Sequence, residues 1–346
     1  MPTSPASSAC RRTSSSTRNS ALKTETHFSR PLHFLFAKVT ILNTASPVPY
    51  AGIWPALLTP LDEKLGIDIP RFASHALRLL DAGCTGVTPF GTTGEGPSFS
   101  VAERMDALAG LVARGVPAGR ILASTSCAAL PDALALTRHA VELGAYGCLL
   151  LPPFFLKGVP DQGVIDAYRW IIDGVGDARL RVVLYHIPQV AGVGLSHHVI
   201  RTLKTLYPHT IVGLKDSSCR REDSLAYAEA FMPPMQVWVG NEPDLQTLAA
   251  RGSQGAVSGI ANVMPRLVQR LVKGSGEPAA DQQRVLALLQ ILGGYGLTAA
   301  FKGVMALLDD APGWMRVRPP LVALDAAEYE RLALQLRAFG IDRERD

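Results

Sequence analysis

The stretch "IVGLKDSS", residues 211–218, carries Lys215, which is the only one of the eight lysines set inside an apolar, strand-like run. A lysine is expensive to bury without a partner. Either this one reaches solvent at the end of its strand or it is held there for chemistry. A lysine amine attacks carbon only when neutral, which at pH 7 requires its ordinary pKa of about 10.4 to come down by about 3. A dry site at the mouth of a barrel acts in that direction. A second candidate, Tyr185, closes the apolar run "RVVLY" (181–185). Its hydroxyl could pass protons to a neighbouring amine or carbonyl, or be a core tyrosine capped by one hydrogen bond. A third is the loop "GTTGEG" (91–96), in which Gly91 and Gly94 bracket Thr92 and Thr93. Glycines let the backbone approach a ligand, and hydroxyls with adjacent N–H groups suit a small carboxylate; an ordinary turn has the same composition. The loop lacks the Gly-Lys-Ser/Thr ending of a phosphate loop and the spacing of a dinucleotide fingerprint. The eight histidines contain no HxH or HExxH pair, so neither a metal nor any other cofactor is expected. The adjacent pair His197 and His198 reads as a solvated helix start.

Eight short apolar runs could position these groups: 52–60, 86–90, 120–126, 147–153, 181–188, 211–218, 236–240 and 255–262. Several are continuously apolar, as strands covered on both faces are, and most are followed by amphipathic stretches. A strand–helix repeat of about 20 to 35 residues, eight times over, predicts an α/β fold, a (β/α)8 TIM barrel. Helix signals fall between the runs. Ser100 with Glu103 forms a capping box, Pro131 and Pro265 open helices, and Gly115 and Gly144 close them. After residue 263 the pattern is helical only. The expected division is an extension over 1–48, a barrel over 49–275 and a C-terminal helical segment over 276–346 packed on the barrel. A doubly wound open sheet would want a glycine fingerprint after its first strand, and "GIWPALLTPLDEKLG" has none.

The formal charge of +4 is local, because residues 1–48 carry six basic side chains against Glu25 alone. The remainder, with 28 basic and 29 acidic groups, is nearly neutral, so no nucleic-acid partner is expected. No apolar stretch approaches the roughly 18 residues of a membrane span, and no membrane association is expected. Five scattered cysteines without a CxxC pair read as reduced thiols of a cytoplasmic protein. The opening "MPTSPASSACRRTSSSTRNS" is rich in Ser, Thr and Arg. A disordered tail, a misassigned start and a transit peptide for organellar import all fit it, while a secretory signal would not carry so long a charged region.

Taken together, "GTTGE", "Y-H-I-P…G" and "G-L-K-D-S", in that order over about residues 50–340, resemble the dihydrodipicolinate synthase and N-acetylneuraminate lyase family of Schiff-base aldolases. The resemblance implies that Lys215, Tyr185 and Thr92 are catalytic. Lys215 would form an imine with pyruvate or another 2-keto acid, and Tyr185 would shuttle protons. Thr92 and Thr93, with Gly91 and Gly94, would hold the carboxylate, and Gly240 and Val257 would shape the pocket. It further implies small-molecule partners, a 2-keto acid and an aldehyde, and a homotetramer. Two departures bear on the substrate. Synthases of the family carry an arginine two residues after the proline of the tyrosine motif, where this chain has Val190 after Gln189. They also lend a tyrosine between subunits from the loop after the fourth strand, where this chain has Phe155. The loop "GTTGEGPSFS" instead looks like those of 2-keto-3-deoxy sugar-acid aldolases and dehydratases. The expected reaction is therefore carbon–carbon cleavage or formation on such an acid. The alternatives are 4-hydroxy-tetrahydrodipicolinate synthase, or a non-catalytic relative that binds 2-keto acids.

Overall fold

Parallel pairing of the apolar runs builds the frame. In the computed structural model, which describes residues 51–233 and 235–341, seven strands appear: β1 (Gly52–Pro55), β2 (Leu122–Ser124), β3 (Gly147–Leu150), β4 (Val182–His186), β5 (Ile211–Asp216), β6 (Gln236–Val239) and β7 (Gly255–Ser258). They lie in the order β1-β7-β6-β5-β4-β3-β2. Readings of the segment 1–48 fall outside the described residues.

The expected strand at 86–90 does not form as a continuous element. Its place between β1 and β2 is taken by single parallel bridges, Thr88 to Ala56 and Val87 to Ile121. The local sequence explains the shortening. Pro89 has no N–H to donate, and Phe90 turns into left-handed backbone at φ 62°. Hydrogen bonds from Thr88 N to Pro55 O (2.8 Å) and from Leu122 N to Val87 O (2.9 Å) nevertheless span the gap. The result is a nearly closed barrel with helices around it.

Alternation along the strands sorts side chains to two cores. Val183 and Tyr185 of β4, Leu149 of β3, Trp238 of β6 and Val257 of β7 fill the barrel interior, together with Trp54, which stacks on Trp238 at 5.8 Å between ring centroids. Val182, Leu184, Cys148, Leu150, Val237 and Val239 face the surrounding helices. The helix signals hold. Ser100 and Glu103 cap the helix Val101–Ala113 reciprocally, and Pro131 and Pro265 sit in the first turns of Leu130–Glu142 and Pro265–Lys273. His197, at the start of His197–Leu206, packs on Tyr227 and Phe231 and is half-buried, so only His198 is solvated.

One irregularity sets the direction of Lys215. On β4 and β5, Val182 pairs with Ile211 but Val183 pairs with Gly213, so the register slips by one residue. Strict alternation from the inward-facing Val212 would point Lys215 outward to the helices. The extra residue of this bulge resets the phase. Leu214 then joins the outer core, and Lys215 lies beside Tyr185 on the inner face.

Beyond β7 the chain continues as the helices Pro265–Lys273, Pro278–Leu292, Leu297–Asp309 and Ala326–Phe339. No single helix among the described residues is long and apolar enough to cross a membrane. Cys84, Cys127, Cys148 and Cys219 are free, and burial pushes the Cys84 and Cys148 thiols up to about 12.

Candidate active site

Lys215 is 4% exposed. Its neighbours across the sheet are Tyr185 on one side and Trp238 on the other, and its Nζ lies 4.2 Å from the centroid of the Tyr185 ring. The Tyr185 hydroxyl is 3.2 Å from Thr92 Oγ1, and either oxygen can be the donor. Three residues separated widely in sequence, 92, 185 and 215, thus meet at one end of the barrel. They do so because β4 and β5 are adjacent and the glycine loop leaves the barrel wall at the same end.

The remaining expected residues take distinct places. Gly240 follows β6 with its N–H bonded to Asp216 O at 2.8 Å. A Cβ there would lie 2.0 Å from Ser217 Oγ and 2.7 Å from Lys215 Cε, so only glycine lets the lysine side chain pass. Val257 is buried in the same inner cluster as Tyr185. Gly91 has open space where a Cβ would project, whereas a Cβ on Gly94 would lie 2.5 Å from Leu57 O. Gly94 is required by packing, and Gly91 leaves room beside the threonines. Thr92 is exposed and Thr93 half-buried. A cavity of about 500 Å3 opens next to them, walled by Leu297, Pro320, Leu321 and Val322, with no basic side chain lining it.

Behind Tyr185 and Lys215, the next residues along β4 and β5 form a polar layer. His186 accepts the Leu195 N–H at Nδ1 (3.0 Å), and burial holds it below the ordinary histidine range. Asp216 accepts from Ser218 N (3.0 Å), Ser218 Oγ (3.1 Å) and Ser224 Oγ; burial pushes its pKa up against those bonds. These contacts fix the ends of β4 and β5, and with them the directions of Tyr185 and Lys215.

Ser217 and Lys157 escape the reading of the sequence. Ser217 is buried, and its hydroxyl finds no hydrogen-bond partner among the described residues, although it lies against Gly240 beside Lys215. Its position two residues past the lysine is the signal that could have found it. At the rim, Val190 is 60% exposed where a synthase-like arginine would stand, and Phe155 is 76% exposed. The Gln189 amide is engaged with Ser217 O at 2.6 Å. Lys157 bridges two rim loops by donating to Ala191 O (2.6 Å) and Phe154 O. No cluster of three His, Cys, Asp or Glu side chains suited to a metal ion occurs among the described residues.

A parallel α/β barrel with an inward lysine beside a tyrosine, at the end where such barrels place their active sites, is the arrangement expected of a lysine-dependent barrel lyase. Comparison with known proteins gives the family: residues 49–339 match the model of the dihydrodipicolinate synthetase family. A DapA-like lyase of Chloroflexus aurantiacus, itself uncharacterized, is 34% identical over 81% of this chain and 94% of that protein. The 4-hydroxy-tetrahydrodipicolinate synthase of Methanococcoides burtonii is 29% identical over 84% and 99%. The crystal structure of dihydrodipicolinate synthase from Agrobacterium tumefaciens superposes with a TM-score of 0.78 at 30% identity, over 83% and 99% of the two chains. At 22% identity, a sialic acid aldolase of Ruminococcus gnavus shares the fold, with a TM-score of 0.76 over 85% and 97%. The chain belongs to the dihydrodipicolinate synthetase family and is an aldolase or lyase of the lysine Schiff-base type.

Proposed function

We propose that Lys215 is the Schiff-base lysine and that the chain makes or breaks a carbon–carbon bond next to a 2-keto acid such as pyruvate. The amine adds to the keto carbon, the keto oxygen leaves as water, and the resulting iminium draws electrons from the C3–C4 bond. Tyr185 moves protons to and from the reacting nitrogen and oxygen. Thr92 and Thr93 hold the carboxylate with their hydroxyls and the N–H groups of the loop opened by Gly91 and Gly94. Gly240 and Val257 leave the room the adduct needs. The observation that carries this reading is the meeting of Lys215 Nζ, the Tyr185 ring and Thr92 Oγ1 at the mouth of the barrel.

The aldehyde partner on this reading lacks a second carboxylate. Val190 offers no charge at the rim, and the cavity beside Thr92 has no basic lining. The unpartnered Ser217 hydroxyl suits a hydroxylated substrate such as a 2-keto-3-deoxy sugar acid. A second reading, 4-hydroxy-tetrahydrodipicolinate synthase, is favoured by the likeness to relatives of that name; Lys157 would then be the cation. Work as a homotetramer in the cytoplasm, as the family resemblance and scattered thiols suggest, belongs to the same proposal.

Borohydride reduction in the presence of pyruvate, followed by peptide mass mapping, tests the chemistry. The adduct is expected on the peptide containing Lys215; reduction without any adduct overturns the reading. Substrate choice is tested by comparing aldol cleavage of 2-keto-3-deoxy acids with condensation of pyruvate and aspartate semialdehyde. Efficient condensation would favour the synthase. Imine trapping with no turnover of any aldehyde would favour a non-catalytic relative.

A further inference from the structure

Lys302, in the helix Leu297–Asp309, is buried more completely than Lys215, with no exposed side-chain surface. Its partner is Glu95, whose side chain is equally buried and which belongs to the loop "GTTGEG" itself. The Lys302 ammonium also donates to Arg316 O at 2.7 Å, and Glu95 Oε2 accepts the Arg318 N–H at 3.2 Å. Two opposite charges removed from water are a costly arrangement, and a well-packed apolar pair would serve stability as well or better. Glu95 moreover takes left-handed backbone at φ 57°, a conformation that favours glycine. A glycine there would relieve the backbone and lose the pair. A strained, buried, charged residue points to a task other than stability.

We propose that the Glu95–Lys302 pair is a positioning device that sets the carboxylate-holding loop from the C-terminal helices. Glu95 N donates to Thr92 O at 3.2 Å, and Gly96 N to Gly91 O at 3.1 Å. The backbone that carries the pair thus closes directly on the two residues that open the loop. From the helix side, Phe301 precedes Lys302 and packs its ring against Gly259, where a Cβ would lie 3.2 Å from the ring and 3.5 Å from Thr93 Oγ1. Both threonines are therefore referenced to the same helix, one through Glu95 and one across Gly259. Glu95 and Lys302 act through Thr92 and Thr93 and touch no substrate themselves. The threonines' role rests on the function proposed above.

The full-length chain tests this with Glu95→Gln, Lys302→Met and the neutral double variant Glu95→Gln/Lys302→Met, which keeps the fold accessible if either single variant misfolds. Two readouts are taken: hydrogen exchange of residues 91–98, and the pyruvate concentration giving half-maximal borohydride trapping. Expected is a loss of exchange protection confined to 91–98. With it, half-saturation rises by about 10-fold or more, as losing charge-assisted hydrogen bonds to a carboxylate implies, while trapping at saturating pyruvate stays within about 3-fold. Thr92→Val should add little in the Glu95→Gln background, because both act on one contact. Unchanged half-saturation in a folded variant, or protection lost evenly across the barrel, overturns the proposal. If the unsubstituted chain traps no pyruvate, the assigned chemistry fails instead, and hydrogen exchange alone decides whether the pair sets the loop.

Discussion

At the scale of single residues, the role proposed for Lys215 requires an amine to be kept inside a barrel and still to reach a ligand. Lys215 meets this by lying over the Tyr185 ring, 4.2 Å from its centroid, in the space that Gly240 leaves free. Lys215→Arg keeps a long basic side chain, but a guanidinium is protonated at any working pH and cannot form the imine. Trapped adduct should vanish, and turnover should fall by at least about 1,000-fold, read by mass mapping and by a coupled assay. Tyr185→Phe retains the ring beneath the Lys215 side chain and removes only the hydroxyl bonded to Thr92. A group moving protons contributes about 100- to 10,000-fold. The expected result is a kcat lower by about 100-fold or more with the melting temperature little changed; wild-type kcat would remove Tyr185 from the mechanism.

Among the elements, β5 does more than supply a strand end. Its bulge against β4 turns Lys215 inward, and the loop after β6 brings Gly240 against the same side chain. Gly240→Ala places a methyl group 2.7 Å from Lys215 Cε and 2.8 Å from Asp216 O. Overpacking of this kind costs about 1–3 kcal/mol, and here part of the relief must come from moving the lysine. Urea midpoints should report that loss, and imine trapping should slow by about 10-fold or more; wild-type trapping in a folded variant would show that the lysine has slack. Seven of the eight expected strands, and the candidacy of the two threonines, could be read from apolar runs and glycine spacing. The bulge could not, because "IVGLKD" alternates no differently from a regular buried strand until its partner's register is known.

For the whole molecule, the barrel and its C-terminal helices are joined by polar contacts. His75 bonds Asn262 Oδ1 at 3.0 Å, and Arg78 links His75 Nδ1 (2.9 Å) to Asp309 (2.7 Å). Burial, reinforced by the Arg78 charge, lowers the His75 pKa from 6.5 to about 4. Above pH 6.5 both folded and unfolded states carry this histidine neutral. As the pH falls below 6.5 the unfolded chain takes up the proton first and stability declines, until the native histidine titrates near 4. The loss accumulated over that window is about 3 kcal/mol. His75→Gln keeps a donor toward Asn262 and has nothing to titrate. Between pH 7 and pH 5 its unfolding free energy should fall by about 2 kcal/mol less than that of the unsubstituted chain, measured by urea titration at each pH. Equal losses would mean that other groups govern acid stability.

By itself the sequence determined the periodicity that makes a barrel, the helix starts at Ser100, Pro131 and Pro265, and the candidacy of Lys215, Tyr185 and the "GTTGE" loop, because these are written in local spacing and residue type. Tertiary structure decided the rest, because it depends on which distant segments meet. Bridges at Val87 and Thr88 replace a full strand, since Pro89 and Phe90 turn the chain before a ladder can form. A register slip between two strands chooses the face on which Lys215 stands. Lys302 looks like a misplaced charge in an apolar helix until the fold brings Glu95 to it, and the physical reason is that a buried charge is explained only by its partner.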